Sequence, residues 1–268
     1  MIVFPNAKIN IGLNVTKKRH DGYHDIESCF YPIGWSDALE ILPTDTYRFE
    51  SSGIPIPGNP ADNLCTKAYE LLSSDHSIPP VSMHLLKSVP IGAGLGGGSS
   101  DAAFAIKALN QLFDLKIPVQ EQLQYARQLG SDCAFFITNQ PEFCFNKGDE
   151  FDKIDVNLTG KWLVLVNPGI HISTAEAYSG IQPQPSGQDL RTILKQPVSE
   201  WKNIVKNDFE LSLFPKYPLL AEIKQRLYNL GAEYASMSGS GSTLYGIFEE
   251  EIDLANELRP FKVWRETI

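Results

Sequence analysis

The chain has 268 residues, enough for one large domain or two modest ones. Hydrophobic residues make up 43% and charged residues 21%, which excludes a disordered or collagen-like chain. A formal net charge of −9 argues against a general nucleic-acid binder, which carries a basic face, but a local cluster such as Lys17, Lys18 and Arg19 could still hold a small anion.

The N-terminal stretch MIVFPNAKIN is broken by Pro5, Lys8 and Asn10, so it reads as neither a signal peptide nor a membrane span. KINIGLNV (8–15) alternates Ile9, Ile11, Leu13 and Val15 with polar or small residues, the pattern of a half-buried strand. Asp21-Gly22 marks a turn. Extended segments are expected over 26–34, 38–42 and 47–51. A Pro/Gly loop follows at 53–60. NLCTKAYELLSS (63–74) predicts a helix with Leu64, Ala68 and Leu71 in register and Asp62 or Asn63 as its cap. VSMHLLK (81–87) alternates as a strand.

Residues 90–101 read PIGAGLGGGSSD, with five glycines between Gly92 and Gly98. A helix is expected over 100–113, with Ala102, Ile106, Leu109 and Phe113 on one face, Ser99 or Ser100 as cap and Asp101 in the first turn. A second helix over 119–130 stops at Gly130. Residues 143–155 read as a hairpin, and KWLVLVNPG (161–169) as a new buried strand, which sets a domain boundary near residue 158. Helices are expected at 174–180, 199–210, 218–230 and 251–258, and strands at 233–237 and 243–248. Helices and strands mix in both halves, so the fold class is α+β in two domains, 1–158 and 159–268.

Glycine is the residue that costs most to order, so a dense run of it answers a specific need. Successive glycines let backbone N–H groups turn toward one point, and the helix that follows adds its own unsatisfied donors and positive dipole end. Together they form a cradle for phosphate oxygens, with the Ser99 and Ser100 hydroxyls available to a phosphate or a magnesium ion. Gly92, Gly94 and Gly97 also fit GxGxxG, but Pro90 precedes them and no second strand ends in an acidic residue. A nicotinamide-dependent oxidoreductase is therefore the weaker alternative. No lysine precedes the serines as a Walker loop requires. The four cysteines, Cys29, Cys65, Cys133 and Cys144, form no CxxC pair or zinc spacing, which suits reduced thiols in a cytoplasmic protein. The histidines show no HExxH-type spacing, so no transition-metal site is expected.

PIGAGLGGGSSDAA resembles the ATP loop of the GHMP kinases. PNAKINIGLNV (5–15) and ASMSGSGSTLYGIF (235–248) resemble that family's N-terminal strand motif and C-terminal glycine motif. KRHDGYH (18–24), LGSD (129–132) and VNPGIHIST (166–174) narrow the resemblance to members that act on a cytidine-bearing alcohol. The resemblance implies a two-domain GHMP kinase fold: an N-terminal ribosomal-protein-like βα domain with a left-handed crossover and a C-terminal ferredoxin-like domain. It implies ATP-dependent phosphorylation of a small molecule, a cytidine diphosphate-linked methylerythritol, with Mg2+ arriving on ATP and no nucleic acid or membrane partner. Homoserine, mevalonate or a sugar would be the acceptor in other members. Oligomeric state is left open.

The same resemblance distributes roles. Asp132 would be the catalytic base and Lys8 its partner. ATP would lie on Pro90, Ile91, Gly92, Ala93, Gly94, Leu95, Gly96, Gly97, Gly98, Ser99 and Ser100, with Asn63, Leu64 and Lys87 near the adenine. Tyr23 and His24 would hold the cytidine, joined by Asn10 and, from the stretch after VNPG, Thr174 and Tyr178. Where the family often carries a proline two residues after the aspartate, this chain has Ala134. Gly239 and Gly241 would let a loop approach the substrate side.

Overall fold

The computed structural model describes residues 1–253 and 258–268. In chain order the elements are β1 (Ile2–Val3), β2 (Asn6–Lys18), β3 (His24–Ser36), β4 (Ala38–Pro43), β5 (Arg48–Gly53), α1 (Leu64–Asp75), β6 (Val81–Lys87), α2 (Gly97–Leu112), α3 (Val119–Leu129), α4 (Phe135–Thr138), β7 (Glu142–Phe145) and β8 (Glu150–Lys153). They continue with β9 (Trp162–Asn167), α5 (Thr174–Ser179), α6 (Leu190–Ile193), α7 (Phe209–Lys216), α8 (Pro218–Asn229), β10 (Tyr234–Met237), β11 (Leu244–Phe248) and β12 (Lys262–Thr267).

The chain forms two compact units. One gathers Met1–Lys8, Gly34–Ile91 and Gly96–Gln140; the other gathers Ile9–Ile33, Gly92–Leu95 and Pro141–Ile268. Each is built from several stretches, whereas composition suggests a single cut near residue 158. The units interleave because β2 and β3 are long: each begins in one unit and ends in the other.

The first unit holds a sheet in the order β1-β4-β6-β5, with β4 antiparallel and β5 parallel to β6. Strand period two decides its burial: Val81, Met83, Leu85 and Lys87 face inward, while His84 and Leu86 are exposed. Helices α1, α2 and α3 pack on one another. Asn63 caps α1 as expected, its Oδ1 accepting from Cys65 N at 2.8 Å, a contact that contributes about 1 kcal/mol. The buried stripe of α1 is Cys65, Ala68 and Leu72; Leu64 and Leu71 lie at its margin.

Helix α2 starts three residues before the expected position. Gly96 is its cap in the left-handed region (φ 68°), with no side-chain cap bond, so Ser99 and Ser100 sit inside the first turn rather than capping it. Asp101 then falls in the second turn and is buried. Among the described residues strand β6 pairs with β4 and β5, and α2 runs on into α3 and α4, so GxGxxG here does not open a βαβ unit.

The second unit holds two sheets. One runs β2-β3-β7-β8, closed by the antiparallel hairpin of β7 and β8. The other runs β10-β11-β9-β12 with every pair antiparallel. Its first and third strands lie at the centre, the order of a ferredoxin-like βαββαβ unit. Helix α8 packs on β10 and β11 through Leu220, Ile223 and Leu227. The helix expected over 199–210 is instead a 3₁₀ turn at Val198–Asn203 followed by an extended stretch, because residues 206–208 pair with β2. The helix expected over 251–258 falls largely on residues 254–257, outside the described residues. Among the described residues no helix is long and apolar enough to cross a membrane.

Candidate active site

In the first unit, Asp132 sits on a turn between α3 and α4. Buried Cys133, Ala134, Phe135 and Phe136 anchor that turn and leave Asp132 at its rim. Ala134 has φ −63°, the value a proline ring would impose, so the backbone here is the one a proline would take. Lys8 Nζ approaches Asp132 Oδ2 at 3.5 Å; the lysine side chain is 4% exposed and the aspartate 29%. Ser131 Oγ donates to the other carboxylate oxygen at 3.2 Å.

The start of α2 lies beside this pair. A Cβ on Gly96 would stand 3.0 Å from the Phe136 ring and 3.2 Å from Lys8 Cε, so glycine is required there by space as well as by φ. The Ser99 hydroxyl lies in hydrogen-bonding reach of the Cys133 thiol, which burial pushes up to about 12 and keeps protonated. At Gly98, by contrast, an added Cβ would meet nothing within 4 Å. The first amides of a helix have no carbonyl partner within it, so the open face at Gly98 presents donors to whatever occupies it. A lysine ammonium, a helix N-terminus and a carboxylate thus converge on one opening. That set can hold a phosphate, hold an alcohol near it, and accept the alcohol's proton.

Beneath the loop lies a cluster that sequence reasoning missed. The Lys87 ammonium is buried between Asp37 and Asp101, reaching Asp101 Oδ2 at 2.6 Å. It is therefore not presented to an adenine, as expected for it, but closed in an ion cluster. The alternation of β6 marks Lys87 as facing inward, though not which carboxylates it meets. Asp37 Oδ1 also accepts from Ser88 N and Val89 N at 2.5 and 2.8 Å. Asp101 Oδ1 and the Ser100 hydroxyl are buried with no partner among the described residues. Burial accordingly pushes the Asp101 carboxyl above its usual range, with Lys87 opposing. Burial also pulls on Lys87, but the two carboxylates outweigh it and hold its ammonium charged.

In the second unit, the Asp21-Gly22 turn sets Tyr23 and His24 at the head of β3; Tyr23 N donates to Asp21 Oδ1 at 3.1 Å. Tyr23 is 62% exposed, with the Lys147 ammonium 5.5 Å from its ring centroid. The His24 ring stacks on Tyr178 at 4.7 Å and 20°, and Tyr178 packs edge-on against Phe209. Burial, then Lys18, lowers the His24 pKa, which favours the neutral form of the stacked ring. The structure thus joins His24 and Tyr178, which lie far apart in sequence. Thr174 opens α5 and is exposed. Asn10 is buried on β2; its Nδ2 donates to Ser28 Oγ at 2.9 Å and its carbonyl accepts from Tyr245 at 2.8 Å.

The early part of the glycine segment also belongs to this unit. Gly94 (φ 79°) cannot carry a side chain, because a Cβ would fall 1.9 Å from the Ser238 carbonyl. Ser238 Oγ donates to Gly94 O at 2.8 Å and accepts from Asn10 N at 3.2 Å. Thr243 N donates to Ala93 O. The second glycine motif therefore serves at least as a brace for the first. Among the described residues there is no group of three His, Cys, Asp or Glu side chains able to cage a metal.

These features, a strand lysine, an acidic turn and a glycine loop opening a helix, on an α+β chain with two units, define a small-molecule kinase of one superfamily. The chain belongs to the GHMP kinases: the family's N-terminal domain model matches residues 63–140 and its C-terminal model residues 190–262. A 4-diphosphocytidyl-2-C-methyl-D-erythritol kinase of Cytophaga hutchinsonii is 54% identical over 258 residues, covering 96% of each chain. One of Bacteroides fragilis is 52% identical over 255 residues, 94% of this chain and 93% of that one. A crystal structure of 4-(cytidine 5'-diphospho)-2C-methyl-D-erythritol kinase superposes with a TM-score of 0.83 at 29% identity, covering 99% of this chain and 98% of that one.

Proposed function

We infer that this chain is a 4-diphosphocytidyl-2-C-methyl-D-erythritol kinase. It phosphorylates the 2-hydroxyl of its substrate with ATP and releases ADP, in the non-mevalonate route to isoprenoid precursors. Near-full-length kinship at about half identity supports the substrate. The Lys8–Asp132 pair beside the open start of α2 is the observation that carries the chemistry.

Phosphoryl transfer asks the protein for position and charge more than for covalent steps. The amides of Gly97, Gly98 and Ser99 and the α2 dipole hold the triphosphate. Lys8 offsets negative charge near the transferred group. Asp132, an acceptor-only carboxylate when ionised, takes the hydroxyl proton as the new bond forms and acidifies it. Magnesium would arrive with the triphosphate, within reach of the Ser99 hydroxyl at the start of α2, and would supply further charge neutralisation there. Asn63 and Leu64, at the head of α1, contact the adenine, while Lys87 supports the loop from beneath. Tyr23, His24 and Tyr178 present rings to the cytosine, and Asn10 and Thr174 contribute polar contacts. Four free, buried cysteines fit a reducing compartment, and we place the enzyme in the cytoplasm.

An ADP-release assay across the cytidylyl alcohol, homoserine, mevalonate and galactose tests the assignment. Turnover is expected with the first alone. Turnover of mevalonate without the cytidylyl alcohol would reassign the acceptor within the family.

A further inference from the structure

The mechanism above leaves one half-buried segment of the second unit without a role: Asn207, Asp208, Phe209 and Glu210. It is fastened to β2 on one side. Leu13 N donates to Lys206 O at 2.8 Å, Asp208 N to Leu13 O at 2.9 Å, and Val15 N to Asp208 Oδ2 at 2.7 Å. On its other side it grips the second glycine motif. Asn207 is 2% exposed, and its Nδ2 donates to both Met237 O and Gly239 O, at 2.8 and 2.9 Å. Its Oδ1 accepts from Phe209 N at 3.0 Å, so the amide's orientation is fixed. Glu210 Oε1 accepts from Met237 N and the Ser236 hydroxyl, and its Oε2 pairs with Lys224.

Ser238 lies between the two carbonyls that Asn207 holds, and its hydroxyl donates to Gly94 O. Hydrogen bonds linked through short stretches of backbone thus run from β2 through the 206–208 segment and residues 237–239 to the nucleotide loop. We propose that Asn207 is a positioning residue for ATP binding, acting through Ser238 on Gly94. Its donor pair fixes the 237–239 backbone, which in turn sets the left-handed turn at Gly94. This inference rests on the reading of residues 92–100 as the triphosphate cradle.

The variant Asn207→Asp tests it. The isosteric carboxylate keeps the acceptor for Phe209 N but faces two carbonyls without a donor, so the grip is lost without a cavity. Binding of a non-hydrolysable ATP analogue, measured by calorimetry, should weaken about tenfold, while KM for the cytidylyl substrate stays within about twofold. Ser238→Ala cuts the last link and should weaken the analogue to the same extent; because the Ser238 hydroxyl also accepts from Asn10 N, only analogue affinity is read for this variant. The double variant should be no weaker than the poorer single one, because both act on one path. Should Asn207→Asp fail to fold, Ser238→Ala alone decides. Unchanged analogue affinity in folded variants, or an equal loss for both ligands in Asn207→Asp, overturns the positioning role. Failure of the wild-type chain to bind the analogue overturns the cradle reading itself, and the two failures are told apart by that control.

Discussion

In the proposed mechanism Asp132 is the base and Lys8 its partner, and the role of Asp132 can be read in kinetics. Asp132→Asn keeps the shape of the turn but removes the proton acceptor. Its kcat should fall about a hundred- to ten-thousandfold with KM for ATP little changed, as read from steady-state rates. A variant within a few-fold of wild type would remove Asp132 as the base. Lys87 invites a different measurement. Lys87→Met leaves Asp37 and Asp101 buried without a counter-charge, a change that costs about 3–5 kcal/mol. Chemical denaturation should show that loss, and a midpoint equal to wild type would mean that the cluster is neutral in the folded state. At this scale the sequence singled out candidates where a motif carried the residue, as LGSD does for Asp132, which lies beside Lys8. It was not readable where a side chain's partners come from distant elements. Nothing local in VSMHLLK announces that its last residue meets Asp37 from one turn and Asp101 from a helix.

The glycine segment shows what an element demands of its residues. Gly94 and Gly98 look alike in sequence and differ in surroundings. Gly94→Ala forces a positive φ on alanine and drives a Cβ into the Ser238 carbonyl, so the variant should melt lower and lose ATP affinity together. Gly98→Ala lies in helical backbone with free space around it, so stability should hold or rise by about 0.5–1 kcal/mol. In the proposed site its methyl would crowd the triphosphate, so the KM for ATP should rise. Melting curves and KM values for the two variants check both statements, and a Gly98→Ala enzyme with normal KM would argue that no phosphate approaches that face. Regular strands such as β6 and helices such as α3 and α8 were legible from periodicity. The start of α2 was not, because Gly96 supplies the left-handed cap that serine was expected to replace. The stretch over 199–210 misled because its apolar spacing is helical while its backbone bonds go to β2.

Over the whole molecule, the two-part organisation was legible but its threading was not, since composition cannot show that β2 and β3 each serve two units. The consequence is measurable. Segment 159–268 alone lacks Gly12, which packs on Leu190 and Val205, and Leu13, which pairs with Lys206 and Asp208. Expressed by itself it should show no cooperative melting, and a sharp transition would contradict this. The same threading governs how the protein is made. The Asn10 carbonyl waits for the Tyr245 hydroxyl across 235 residues. At ribosomal speeds that gap lasts on the order of ten to fifty seconds. Until Tyr245 emerges, Ile9, Ile11 and Leu13 of the nascent chain have no finished core to enter, and that strand stays open to pairing with a neighbour.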